Sequence, residues 1–203
     1  IQSIPNNASI IIKTANWKES WSTLEKSNIW KQVSEIEKFK NVKNSIHNLS
    51  NELDTNINLK EIFTDNPFYI SLHHEEQDYS PFLALMLDKE KKLYFFNYFF
   101  KEKVDSRLYE EVEIFKLQNG WNIAYQENII FLSTSPILVE QSIRQLKNEL
   151  SLINNESFAK VKSTESSFAD MHVYINYKQL ANLIDENTSI SSKNKTQINR
   201  WAD

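Results

Sequence analysis

Arg107–Thr134, RLYEEVEIFKLQNGWNIAYQENIIFLST, holds the single glycine of the chain and its clearest strand pairing. Gly120 follows Asn119, and an Asn-Gly pair between two apolar runs is a strong hairpin signal. Two loop lengths compete. A two-residue loop would set Trp121 opposite Gln118 and mix Leu117 and Phe115 with Asn122 and Ala124 on one face. A three-residue loop, Gln118-Asn119-Gly120, gives the glycine the left-handed position after a type I turn and sets Leu117 against Trp121 and Phe115 against Ile123. This second register keeps one side apolar, and burial specifies register because a one-residue slip turns every side chain over.

The following turn, Glu127-Asn128, reads as a two-residue loop that sets Tyr125 against Ile130 and Ile123 against Leu132. The stretch is then a three-stranded meander with Phe115, Leu117, Trp121, Ile123, Tyr125, Ile130 and Leu132 on one face. At about 25 cal/mol per Å² of apolar area removed from water, that face contributes on the order of ten kcal/mol before entropy is subtracted. It is expected to be core. The opposite face (Val112, Ile114, Ala124, Ile129, Phe131) is half apolar, so partial cover is expected there too.

A length of 203 residues, 40% hydrophobic and 25% charged, suits one well-buried globular domain, and no Pro-rich, Ser-rich or charged linker divides it. One domain over residues 1–203 is therefore expected. With one Gly and four Pro, the turns fall to Asn, Asp and Ser. A net charge of -4 and a pI near 5.7 argue against a phosphate backbone as the partner, so no nucleic acid is expected. The absence of cysteine removes disulfides, a thiolate nucleophile and Cys-based metal sites, and leaves the compartment open. No apolar run approaches the roughly 18 residues that cross a bilayer. The chain opens on Ile1 and both ends read as cut, so it is expected to be an excerpt of a longer protein, with room for a signal peptide or membrane anchor before Ile1.

Outside the meander, Ala8–Lys13 reads as a buried β-branched strand. Asn16 can cap a helix, with Glu19 at the capping-box distance. From Ser27 or Asn28 onward, Ile29, Val33, Ile36, Phe39, Val42, Ile46, Leu49 and Leu53 recur three and four apart, an apolar stripe. Their mean spacing of about 3.4 is near that of a coiled-coil seam, so the helix over 28–54 could lie on the sheet or on a partner helix. Strands are expected at 68–73 and 82–87. Leu93–Phe100, LYFFNYFF, favours a strand by its aromatics, but the lysine-rich flanks and Asp88 as cap favour a helix, which is the reading adopted. Pro136 opens a helix over 137–150, 155–162 reads as a short helix, 171–175 as a strand, 177–184 as a last helix and 187–196 as a loop. Two echoes stand out: Asn16-Trp17-Lys18 against Asn176-Tyr177-Lys178, and a strand-strand-helix order at 68–102 and 121–150 that suggests duplicated ββα units. The fold class is α+β, a mainly antiparallel sheet with helices packed on one face.

Three segments carry a resemblance: IPNNASIIIKTANWKESWSTLEKSNIWKQV at the start, NGWNIAYQENIIFLSTSPILVEQSI, and FADMHVYINYKQLANLI. The chain resembles a loosely defined family of uncharacterised bacterial proteins described as secreted or membrane-anchored. The resemblance implies a periplasmic or cell-surface module behind an N-terminal anchor, with Trp201 leading into a further strand. None of the three segments is a catalytic signature, and the family offers no functional residues to carry over.

Read for chemistry, His73-His74-Glu75-Glu76 is the most suggestive cluster, since imidazole and carboxylate both bind metals. Adjacent strand residues point to opposite faces, so His73 and His74 cannot readily hold one ion. His74 with Glu76 could share a face and would need a third ligand; the plainer reading is a solvated strand end. His47 and His172 read as packing or surface histidines. Glu110, Glu111 and Glu113 could supply general acid and base, yet charges flanking a strand are commonly its wet side. One glycine allows no phosphate-cradling loop, and no serine sits in a nucleophile elbow. Trp17, Trp21, Trp30, Trp121 and Trp201 are expected mainly to fill core. The aromatic run at 94–100 is different, because a helix apolar all round needs cover on two sides or leaves an exposed patch.

No catalytic, cofactor-binding or metal-binding residue is therefore assigned, and no cofactor is expected. The function expected is a non-catalytic extracytoplasmic binding or scaffolding domain, in the periplasm or at the cell surface. Its partner would be a protein or a glycan, with membrane contact only through an anchor outside this sequence. Two alternatives stand beside it: a hydrolase-like enzyme with a site near His74, and a homo-oligomerising module joined through helix 28–54.

Overall fold

The computed structural model describes residues 1–28, 30–31, 35, 39–55, 62, 66–75, 78–99 and 105–179. In chain order the elements are β1 (Ala8–Thr14), α1 (Trp17–Lys26), α2 (Lys40–Thr55), β2 (Phe68–Glu75), β3 (Asp78–Met86), α3 (Lys89–Phe99), β4 (Asp105–Tyr109), β5 (Val112–Lys116), β6 (Asn122–Gln126), β7 (Ile129–Ser133), α4 (Pro136–Lys147), α5 (Glu156–Lys162) and β8 (Met171–Ile175), with a 3₁₀ turn at Leu152–Asn154. The strands form one eight-stranded sheet in the order β4-β5-β6-β7-β3-β2-β1-β8, and every neighbouring pair is antiparallel.

The hairpin at Gly120 has the three-residue loop. Gly120 holds φ at +88°, the Leu117 N–H donates to the Trp121 carbonyl at 2.8 Å and the Gly120 N–H to the Leu117 carbonyl at 3.0 Å, and Phe115 faces Ile123. Glu127 and Asn128 both take positive φ, 51° and 64°, the two-residue primed turn whose twist suits a hairpin. It sets Tyr125 against Ile130 and Ile123 against Leu132. The meander has one strand more than expected. β4 joins β5 through Glu110-Glu111, at φ 46° and 69°, a primed turn built without Gly or Asn and therefore invisible to turn chemistry.

Alternation along the strands builds two cores. Leu117, Trp121, Ile123, Ile130 and Leu132 join Leu83, Leu85, Trp21, Phe39, Val42, Ile46, Leu49 and Phe95 on one face, so α1, α2 and α3 cover it. Ile114, Ala124, Ile129 and Phe131 join Phe82, Ala84, Leu138, Val139, Ile143 and Leu146 on the other, which α4 and α5 cover. The α+β class with an antiparallel sheet is as expected. The single helical layer needs correction, because the half-apolar second face of the meander also carries helices, α4 packing there with Leu138, Val139, Ile143 and Leu146.

The ββα order does occur twice, as β2-β3-α3 and β6-β7-α4. Where β3 and β7 pair antiparallel, a twofold axis normal to the sheet would keep both helices on one face. They lie on opposite faces, so the two units are not copies related by the axis that the sheet provides.

Local signals account for the element ends. Asn16 Oδ1 accepts from the Glu19 N–H at 3.3 Å, the N-cap bond. Glu19 Oε2, however, accepts from the Asn16 side-chain amide at 3.2 Å while the Asn16 backbone N–H donates to Thr14 Oγ1 at 3.1 Å, so only half of the expected capping box forms. Asp88 Oδ1 accepts from the Lys91 N–H at 2.8 Å, which opens the aromatic run as helix α3. Pro136 stands in the first turn of α4. Pro81 lies inside β3, but pairing with β7 begins only at Phe82, so the missing N–H falls where β3 is still an edge. In place of a ladder bond, the Ser133 hydroxyl donates to the Pro81 carbonyl at 2.8 Å.

The helix expected over 28–54 is not continuous: Glu35 stands in a turn and α2 begins at Lys40. From its apolar stripe Val42, Ile46 and Leu49 are buried in the first core against the sheet. Ile29, Val33, Ile36 and the Leu53 side chain lie outside the described residues, as do the expected helix beyond 179, the loop at 187–196 and Trp201.

Candidate functional site

The residues singled out for chemistry are dispersed. His73 and His74 point to opposite faces of β2. His74 is half-buried and rests on Tyr79, ring centroids 5.1 Å apart, and Glu76 lies outside the described residues. Among the described residues no group of three or more His, Asp or Glu could hold a metal ion. Glu110 and Glu111 form the β4–β5 turn; Glu110 meets Lys147 at 3.6 Å, and Glu113 accepts from the Ser106 hydroxyl at 2.8 Å. Glu110 and Glu113 thus have separate partners. His47 is exposed on α2. Trp21 and Trp30 meet edge to face at 5.2 Å in the first core, where Trp121 is also buried.

One arrangement is only half legible in the sequence. Ser71 and His73, two apart on β2, share a face, and the Ser71 hydroxyl lies 2.8 Å from His73 Nε2. His73 Nδ1 lies 2.8 Å from the side-chain oxygen of Asn7. With Asn7 presenting its carbonyl oxygen, Nδ1 carries the proton and Nε2 accepts from Ser71. A serine, an imidazole and an orienting amide in line is the order of an acyl-transfer site. Ser71 and His73 are, however, 1% and 0% exposed, and burial holds the imidazole pKa down at about 3. The line reads as a satisfied buried network with no room for a substrate. Sequence alone could not bring in Asn7, 66 positions from His73.

A second polar group gathers where β1 and β8 meet. Lys13 Nζ lies 2.5 Å from Glu165 Oε2, and the Tyr174 hydroxyl donates to Glu165 Oε1. Burial acts to raise the Glu165 carboxyl, but the bonds from Lys13 and Tyr174 outweigh it and leave the pKa lowered. Burial, then the bond to that carboxylate, raises Tyr174. Glu165 also borders a cleft of about 420 Å³ with Thr14, Asn16, Asp170 and His172, and His172 Nε2 lies 3.1 Å from the Ser166 carbonyl. Lys13 and Glu165 neutralise one another, so the pair ties the β8 approach to β1 and presents little net charge to the cleft.

Tyr174 borders a larger hollow on the other side of the same contact. This groove, about 690 Å³, runs over the second sheet face between the 3₁₀ turn and α5 on one side and β1 and β8 on the other. Its volume lies in the range of small-molecule sites. Apolar walls come from Leu152, Phe158, Val161, Tyr174 and Tyr177. Lys178 is the one charged residue among the described residues that line it, in a chain that is 25% charged. Its polar positions are amides and hydroxyls, among them Ser151, Asn155 and Asn176. Composition did not signal this groove, because its walls come from separate stretches of chain, each ordinary by itself.

Among the described residues no helix is long and apolar enough to cross a membrane. Comparison with family models, with curated proteins and with solved structures finds no match.

Proposed function

We propose that this chain is a non-catalytic binding domain of a protein that works outside the cytoplasm, held at a membrane by a segment beyond this sequence. The observation that carries the binding reading is the groove between α5 and β8. It is large enough for a ligand, mixed apolar and uncharged polar in lining, and has no histidine or carboxylate among the described residues that line it. The compartment rests on the resemblance to secreted or anchored bacterial proteins. The hydrolase alternative near His74 is less favoured, since His74 packs on Tyr79 and the neighbouring Ser71-His73-Asn7 line is sealed. The oligomer alternative through helix 28–54 is less favoured because Val42, Ile46 and Leu49 are already covered by the sheet.

The test is a binding screen read by thermal midpoint. A ligand held by the native state alone at a hundred times its Kd stabilises by about 2.7 kcal/mol. A Val161→Glu variant, altered at an exposed groove position, should lose that shift while keeping its own midpoint. Mutation-sensitive turnover against a broad hydrolase panel would count against the proposal.

A further inference from the structure

The groove's polar atoms say what kind of ligand it takes. Asn155 caps α5, its Oδ1 accepting from the Phe158 N–H at 3.0 Å. Asn176 does the same after β8, Oδ1 accepting from the Gln179 N–H at 3.4 Å. Ser151 caps the 3₁₀ turn, Oγ accepting from the Ile153 N–H at 3.2 Å. Each cap engages the acceptor oxygen and so fixes which end of the side chain faces outward. What these three caps leave for the groove is two NH₂ groups and a hydroxyl hydrogen, donors that outnumber the one acceptor oxygen left by Asn154, whose own amide donates to the Glu149 carbonyl at 3.0 Å. Around them stand Phe158, Tyr174 and Tyr177, the last 40% exposed, and Lys178 is the one charged residue among the described residues of the lining. A ligand matched to this lining is uncharged, rich in oxygen acceptors, and has an apolar face to lay on a ring.

We infer that the groove binds a neutral glycan. Sugar hydroxyls and ring oxygens meet the cap donors, and the C–H face of a pyranose lies against Tyr177. A peptide strand fits less well, because its backbone N–H groups can only donate, whereas each sugar hydroxyl can turn a lone pair to a cap donor. An anionic ligand would find a single cation among the described residues of the lining. This inference rests on the groove being the binding site, and goes beyond that reading by naming the ligand class.

The test titrates the full chain, labelled with ¹⁵N, with four probes: neutral tetrasaccharides of glucose and of N-acetylglucosamine, anionic tetragalacturonate, and a blocked uncharged peptide. A neutral sugar is expected to shift the amide resonances of residues 151–158 and 174–178. Asn155→Asp keeps a good N-cap and removes the NH₂ donor, so it should weaken sugar binding about tenfold, one hydrogen bond's worth, with an unchanged melting midpoint. Tyr177→Ala, at an exposed position, should weaken it by a similar factor. If the peptide shifts these resonances and the sugars do not, the glycan inference falls and the groove stands. Tetragalacturonate binding as tightly as the neutral sugars would also overturn it. If no probe moves these resonances, or binding maps to another face, the glycan inference falls. In the second case the groove reading falls with it.

Discussion

Gly120 holds φ at +88°, and a Cβ built there would meet nothing within 4 Å. Substitution therefore costs backbone strain without a clash. Gly120→Ala is expected to lower stability by about 1 kcal/mol in urea unfolding, and Gly120→Asn by less. His73 makes a pH prediction. Its pKa is about 3 in the fold against an ordinary 6.5, so between those values the unfolded chain binds the extra proton and stability falls as pH falls. The slope from this one residue approaches about 1.4 kcal/mol per pH unit. Glu165, lowered in the fold, pushes the same way, its contribution lost as pH drops below the ordinary carboxylate range. Unfolding midpoints from pH 7 to 3 check this. His73→Phe should flatten the profile in its upper range, and an unchanged profile would show that His73 is not buried neutral. Ser71 and His73 could be placed on one face from their spacing, but Asn7 could not, because nothing local links a turn before β1 to the end of β2.

At the scale of elements, the legible features were those with local causes: the Gly120 loop, the Asn16 and Asp88 caps, and Pro136 at the start of α4. The aromatic run of α3 shows how tertiary packing divides an all-round apolar helix. Phe95 is fully buried and Phe96 packs edge to face on Phe115 and Tyr125, at 6.1 Å from each, while Leu93 and Tyr94 are 63% and 60% exposed. Phe95→Ala should then cost about 3–5 kcal/mol and Leu93→Lys within about 0.5 kcal/mol, measured by chemical denaturation. For α2, Ile46→Ala should cost about 2–5 kcal/mol without changing the mass in solution, since Val42, Ile46 and Leu49 are buried within one chain. The β4–β5 turn was not legible, because two glutamates in left-handed conformation carry no sequence signature.

For the whole molecule, sequence pattern predicts faces better than it predicts neighbours. The two faces of the meander were readable from alternation. That α4 would cover one and α1–α3 the other follows from which way the chain turns after β3 and after β7, and alternation is silent on that. The groove is a further step removed, since it exists only because the end of the described chain returns to its beginning, β8 pairing β1.

That return is the central claim, and the chain's lack of cysteine gives a clean background for testing it. The Asn176 N–H donates to the Ser9 carbonyl at 2.9 Å, so Ile12 and Val173, which are partnered three residues along, form a non-hydrogen-bonded pair with closely placed side chains. The double variant Ile12→Cys with Val173→Cys is predicted to form an intramolecular disulfide under mild oxidation, within the Cα separation such bonds need. The slipped pair, Ile12→Cys with His172→Cys, should stay reduced. Oxidation of the slipped pair in preference to the first, or of neither, would contradict the β1–β8 register and the groove built upon it.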